Sequence, residues 1–285
     1  LNLETASGFY RDIIGLREIL REGRTVRLSA NGKEPALIVL EGDPGALPRP
    51  VMAPGLFHTA LLFPNRLELA RTMRHVGEMG WKFQGFADHG VSEAVYLADA
   101  EGNGLELYRD RPRNEWPIGS SVDSSKDPNE VTMVTEPLDI AGLIAELADV
   151  PPSYEGIHPD AIVGHIHLQV SSLDKAKTFY HDLLGLEITQ QTYPGALFLS
   201  ADGYHHHVGL NVWNSLGVQL ASVNSTGLIS FGVQTISSRF EGIVERADAK
   251  DTPLSRIDRL TCQLKDPDEI SLDLSVFQKK TASVR

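Results

Sequence analysis

Cysteine is nearly absent: Cys262 stands alone among 285 residues. An internal disulfide is therefore excluded, and so is the thiolate cluster that zinc or iron–sulfur chemistry would need. Any metal in this protein must sit on imidazole and carboxylate. Long apolar runs are missing as well. Residues 36–40 and 56–63 are strand-sized and far short of the roughly 20 residues that span a bilayer, so a membrane is not an expected partner. Basic clusters are missing too, and the net charge is −12 at pH 7, which argues against nucleic acid because phosphate binding depends on grouped Lys and Arg. Residues 1–4 have neither the basic flank nor the apolar core of a secretory signal, which makes the cytoplasm the expected compartment. What the chain does have is 41% hydrophobic residues, enough for a substantial core, and a length that suits about two domains. The expected partner is a small molecule, and a homo-oligomer is compatible with the composition.

A weak internal repeat runs through the chain four times. Its clearest pair is Asn2-Leu3-Glu4-Thr5-Ala6-Ser7-Gly8-Phe9-Tyr10, continuing to Ile14-Gly15-Leu16, and Ser172-Leu173-Asp174-Lys175-Ala176-Lys177-Thr178-Phe179-Tyr180, continuing to Leu184-Gly185-Leu186. In both, apolar and aromatic residues fall at helical spacing, and a glycine stands where a left-handed helix cap is favoured. One strand-like run precedes the second of these (166–170) and three follow it (186–191, 196–200 and 207–213). The same order recurs from Leu56: a strand to residue 63, a helix over 66–79, then strands at 82–86, 94–98 and 104–108. A fourth copy begins near Leu228, with a helix around 240–247 and strands near 260–264 and 270–276. The first copy opens at its helix, without the leading strand. The expectation is an α+β fold of four βαβββ modules, forming two domains of curved, mostly antiparallel sheets flanked by helices. Modules one and two occupy residues 1–110 and modules three and four residues 161–285. The polar, proline-rich stretch 111–160, with a short helix over 139–147, reads as the crossover between them.

Ten histidines supply many candidates. His75 and His181, on helices, and His158, in the crossover, are expected at the surface. His58 and His165 differ, because each occupies the same place in its own module: the first strand, five residues before its last apolar position, Phe63 and Val170. Equivalent positions in repeated modules can converge. Opposite Glu106, in the last strand of module two, they would supply two imidazoles and one carboxylate. That set suits Fe(II) and leaves coordination positions open for a chelating substrate and oxygen; Mn(II), Zn(II) and Ni(II) are the alternatives. Module four has Leu228 at the equivalent position and only Asp273 in its last strand. Modules two and three are therefore expected to share the metal, with modules one and four forming a non-catalytic partner. A separation of His58 and His165 above about 8 Å would refute this, since both nitrogens must lie about 2 Å from one ion.

The most specific stretch runs from Asp88-His89-Gly90 through Val95-Tyr96-Leu97 to Asp99-Ala100-Glu101-Gly102-Asn103-Gly104-Leu105-Glu106. It resembles the signature of extradiol ring-cleavage dioxygenases: a His, an apolar-Tyr pair, an Asp-Pro-x-Gly turn and a Glu ligand. His89, Tyr96, Gly102 and Glu106 match in order, while Ala100 replaces the usual proline. Val163-Gly164-His165-Ile166-His167-Leu168 resembles the family's ligand strand, and Gly203-Tyr204-His205-His206-His207-Val208-Gly209-Leu210-Asn211 the strand that carries its acid–base histidine. The resemblance covers nearly the whole chain and is to two-domain catechol-2,3-dioxygenase-like proteins of the vicinal-oxygen-chelate superfamily, which also holds glyoxalases and bleomycin-resistance proteins. It implies opening of a catechol or substituted catechol by O2 on Fe(II), beside the diol, to a muconic semialdehyde, as in the breakdown of aromatic compounds. It also implies that His206 handles the proton and that Tyr96 and His89 hydrogen-bond substrate oxygen. His205 and His207 could exchange roles with His206, because a one-residue shift along a strand reverses the face. His167 and Asn211 are expected to support these groups. Two rival readings are a glyoxalase-like lyase or isomerase, which wants a further carboxylate in the last strand of module three, and a metal-free sequestering protein.

Overall fold

The computed structural model describes residues 2–117, 131–222 and 224–277. Side-chain caps start the helices of modules one to three. Asn2 Oδ1 accepts from the backbone N–H of Glu4 and Thr5 and opens α1 (Leu3–Gly8), which a π-helical turn continues over Phe9–Ile13. Strands β1 (Arg17–Glu22), β2 (Thr25–Ser29) and β3 (Ile38–Glu41) complete module one. Module two is β4 (Gly55–Phe63), α2 (Arg66–Glu78), β5 (Phe83–Asp88), β6 (Ser92–Ala98) and β7 (Gly104–Asp110), with Asn65 capping α2. The crossover holds α3 (Ile140–Ala145), shorter than the expected 139–147 because Asp139 is its cap and residues 146–149 form turns. Module three is β8 (Ile162–Gln169), α4 (Leu173–Lys177) with a π-helical continuation over Thr178–Leu183, β9 (Glu187–Gln190), β10 (Ala196–Ser200) and β11 (Val208–Asn211). Module four is β12 (Ser230–Thr235), α5 (Ser237–Ala249), β13 (Leu254–Arg256), β14 (Thr261–Lys265) and β15 (Ser271–Val276). The fold is α+β, dominated by sheet. Gly15 and Gly185 sit at φ +86° and +75°, the left-handed conformation that ends both π-helical turns and that side chains resist.

Modules two and three build one eight-stranded sheet in the order β5-β6-β7-β4-β8-β11-β10-β9. Its centre is the antiparallel pair β4–β8, and each of these strands runs parallel to the last strand of its own module. Modules one and four contribute separate three- and four-stranded sheets. One core gathers Phe9, Ile14 and Leu28 of module one with Leu61, Leu69 and Leu107 of module two. A second gathers Phe179, Tyr180 and Leu199 with Phe240 and Leu272. A cavity of about 1340 Å³ is lined by Thr59 and Ile166 of the central strands and by β3 and β12. It opens on the face that strand alternation turns away from His58.

The crossover is also a wall. Asp88, at the end of edge strand β5, exchanges two backbone hydrogen bonds with Glu136, and the Val131 N–H donates to Thr189 O in edge strand β9. Residues 131–136 thus span the two ends of the sheet and satisfy edges that would otherwise stay open. Trp116, Val131 and Met133 pack there against Val91, Ala196 and Phe198. None of the described helices is long and apolar enough to cross a membrane.

Candidate metal centre

Cross-strand register places the candidate ligands. Ala60 pairs with Glu106 on one side and His165 on the other, and Glu106 pairs with Tyr96, so these four side chains form one row across the concave face. The small Ala60, fully buried, leaves room above the middle of that row. His58 lies two residues before Ala60 on the same face, and a β-bulge at Phe57 turns that aromatic ring toward the same side. Gly104 faces His58 in the parallel register, and any Cβ there would collide with the Phe57 carbonyl oxygen.

His58, Glu106 and His165 are buried, and one donor atom from each lies within 4.8 Å of the others. His58 Nε2 stands 2.9 Å from Glu106 Oε2, but without hydrogen-bond geometry, and it has no other partner among the described residues. His165 Nε2 stands 3.1 Å from the same oxygen. Burial works against the Glu106 charge, and the two imidazoles outweigh it, so its carboxyl is held well below the usual range. Burial pushes His165 down to about 4 against the pull of Glu106, leaving its ring neutral at neutral pH. A carboxylate and two imidazoles meeting at one point can hold a divalent cation, any hydrogen on the nitrogens that face it being released on binding, so the residues fit the metal that their pattern implies.

The other residues singled out in sequence fall into place around this cluster. Tyr96 lies within hydrogen-bonding reach of Glu106, and its Oη is 2.7 Å from His89 Nε2. His89 Nδ1–H donates to the Val134 carbonyl in the crossover wall. Burial, with Glu106 nearby, raises the Tyr96 phenol well above its usual range, so it keeps its proton. His206 is buried with its ring 4.1 Å from that of His165, and burial keeps it neutral. His167 is also on the cup face, 4.9 Å ring to ring from His58, with Nε2 unpartnered among the described residues. Asn211 is fully buried and accepts from the Trp213 N–H. His75 stacks on Tyr154 at 4.0 Å and is partly covered, rather than free at the surface.

The histidine triplet departs from the strand expected over 207–213. Strand β11 begins only at Val208, and residues 201–207 form a turn in which Asp202 and Gly203 take φ of +57° and +67°. Strict face alternation therefore does not govern His205, His206 and His207. Of the three, His206 comes nearest to His165, its ring tilted at 4.1 Å between centroids against 6.1 Å for His205; His205 points back to Asp110, and His207 Nδ1 is engaged by Ser200 Oγ and the Ala201 N–H.

Several participants carry no sequence signal of their own. Phe57, Trp213 and Phe198 surround His167 with rings 5.0, 5.6 and 5.8 Å away, an aromatic wall assembled from three separate elements. Asp110 follows Glu106 and Tyr108 at alternate positions of β7 and collects bonds from Tyr204 and His205.

The sequence matches the family described as Glyoxalase/Bleomycin resistance protein/Dioxygenase superfamily over residues 2–107 and 162–274. It is 41% identical, over 230 residues, to a catechol-2,3-dioxygenase of Bacillus subtilis (strain 168), covering 80% of this chain and 76% of the relative. In fold it is similar to a candidate dioxygenase of Bacillus subtilis, with a TM-score of 0.63 at 14% identity over 97% of this chain and 82% of the other. It is also similar to glyoxalase I from Zea mays, with a TM-score of 0.55 at 14% identity over 96% and 88% of the two chains. The paired modules, the shared sheet and the matched sequence together make this chain a member of the glyoxalase/bleomycin resistance protein/dioxygenase superfamily.

Proposed function

We propose that this chain is an Fe(II)-dependent extradiol dioxygenase that opens catechol or a substituted catechol beside its diol to a muconic semialdehyde, with both atoms of O2 entering the product. The observation that carries the reading is the meeting of His58, Glu106 and His165 within 4.8 Å on the concave face of a sheet shared by two modules. The 41% identity to a catechol-2,3-dioxygenase supports the reaction class. The rival lyase reading wants another carboxylate in the last strand of module three, and β11 carries none.

His58, Glu106 and His165 would hold the iron, which when bound supplies electron transfer between diol and dioxygen. The remaining work belongs to this chain's side chains. Phe57, Trp213 and Phe198 offer flat apolar faces to an aromatic ring and keep water from it. Tyr96 Oη, held 2.7 Å from His89 Nε2, would turn its hydrogen from that nitrogen to substrate oxygen on binding. His206, neutral through burial, takes a proton from a substrate hydroxyl and returns it to the opened product. Modules one and four act as a non-catalytic partner pair, with the chain divided at residues 111–160.

The test is oxygen uptake in aerated buffer by anaerobically iron-loaded protein given catechol, with the yellow semialdehyde followed by absorbance. Stoichiometric iron with no oxygen consumption would discard the reading. Metal analysis of protein as isolated separates iron from Mn(II), Zn(II) and Ni(II).

A further inference from the structure

Behind His206 lies a chain of hydrogen bonds that ends on one carboxylate. Asp110 Oδ1 accepts from Tyr204 Oη at 3.0 Å and lies 3.0 Å from His205 Nε2. His205 Nδ1 lies 2.8 Å from His206 Nδ1, and both rings are buried. Tyr108 Oη lies 2.8 Å from Tyr204 Oη, and its ring packs 4.7 Å from His165.

Donor and acceptor counting, taking one N–H on each imidazole, gives the direction of every link. A carboxylate only accepts, so His205 Nε2 must carry hydrogen. With a single N–H on the His205 ring, that hydrogen faces Asp110 and Nδ1 is bare. At 2.8 Å two bare nitrogens repel, so the hydrogen between the rings comes from His206 Nδ1. His206 Nε2 is then the bare nitrogen. On the other arm, the Tyr204 hydrogen is committed to Asp110, so the Tyr204 oxygen accepts from Tyr108.

We infer that Asp110, acting through His205, fixes the tautomer of His206 with hydrogen on Nδ1 and a bare Nε2 available to accept a substrate proton. Asp110 and His205 are positioning residues, and the inference rests on the proposed role of His206. The logic parallels any carboxylate-oriented imidazole base, except that a second imidazole relays the orientation. His207 takes no part, since its Nδ1 is engaged by Ser200 and the Ala201 N–H.

The test is nitrogen-15 NMR of the histidine rings in the full chain, metal-free and loaded with zinc, a diamagnetic ion. Wild-type His206 should show a protonated Nδ1 and a bare Nε2; the reverse assignment overturns the inference. His205→Phe keeps a ring against Tyr204 and Trp116 but removes the acceptor. It should move the His206 hydrogen to Nε2 and lower kcat for catechol by about 10- to 100-fold, the usual range for a support residue, with KM little changed. His205→Asn, whose amide oxygen can stand near the lost Nδ1, should restore part of the Nδ1–H signal. An unaltered tautomer in His205→Phe, or a loss confined to KM, overturns the inference. If iron-loaded wild type leaves catechol untouched while the predicted tautomer is present, the orienting chain stands and the proposed reaction is what fails.

Discussion

The Tyr180 hydroxyl donates to Asp266 Oδ2 at 3.0 Å, tying the helical segment of module three to the turn before the last strand of module four. The same tie recurs in the other half, where the Tyr10 hydroxyl donates to Asp99 Oδ2, also at 3.0 Å. In each case Oδ1 of the aspartate caps its own turn, accepting from Asp268 and Ile270 N–H, or from Glu101 and Asn103 N–H. The repeat thus conserves within one chain a tyrosine that closes its neighbour's turn.

The two ties should not be equal. Asp99 Oδ2 also accepts from Asn103 Nδ2, whereas Tyr180 is the one partner identified for Asp266 Oδ2 among the described residues. Tyr180→Phe should therefore cost about 2 kcal/mol, and Tyr10→Phe about 1 kcal/mol, because only the former strips a buried acceptor. Urea unfolding of the two variants checks the order, and equal losses would contradict it.

Asp266 should make stability depend on pH. Burial raises its carboxyl to about 6 against the usual 3.8, and the hydrogen bonds it accepts oppose this without cancelling it. The folded chain then holds the proton more tightly than the unfolded one. The favourable contribution is complete below about pH 4, declines as pH rises through 6, and leaves the ionised group costing about 3 kcal/mol at pH 7. Asp266→Asn removes this dependence, so its stability relative to wild type should rise by about that amount between pH 4 and pH 7. Paired denaturation curves at the two values measure it; a constant difference would refute the assignment.

Gly104→Ala should damage the metal centre without touching a ligand. A Cβ there meets the Phe57 carbonyl oxygen and lies 3.0 Å from His58 Cβ, so the β4 backbone must move. The expected results are a stability loss of about 2 kcal/mol and a metal affinity weakened by about tenfold or more. Calorimetric titration with Zn(II) reads the affinity, and wild-type affinity in this variant would show that β4 accommodates the methyl group.

Glu106→Gln should separate metal binding from folding. In wild type, a divalent cation that binds only the folded chain raises the melting temperature, and a chelator reverses the rise. The variant keeps the shape of the side chain but loses the charge that draws the cation, so the metal-dependent rise should disappear while the metal-free protein still melts cooperatively. Persistence of the rise would place the metal elsewhere.

The repeat made much of the fold legible, because helical spacing and a closing glycine are local signals that survive divergence. It also singled out His58 and His165, since equal positions in equal modules meet about a pseudo-twofold relation, and their donor atoms lie within 4.8 Å of each other and of Glu106. The triplet at 205–207 was harder. Alternation is a rule for strands, and Asp202 and Gly203 in left-handed conformations turn those residues into a loop, where the backbone path decides which ring faces inward. The wall built by residues 131–136 left no trace either, because its bonds to Asp88 and Thr189 are backbone to backbone and any sequence can make them.

The sequence alone determined the modules, their order, the turn chemistry and the set of imidazoles and carboxylates available to a cation, because these depend on spacing and residue type within a few turns of chain. Tertiary structure decided that Ala60 leaves the space above it, that Phe57, Trp213 and Phe198 stand together, and that Asp110 lies behind His205 and His206. Those contacts join positions as far as 156 residues apart in the chain, as Phe57 and Trp213 are, and only strand register and packing bring such positions within reach.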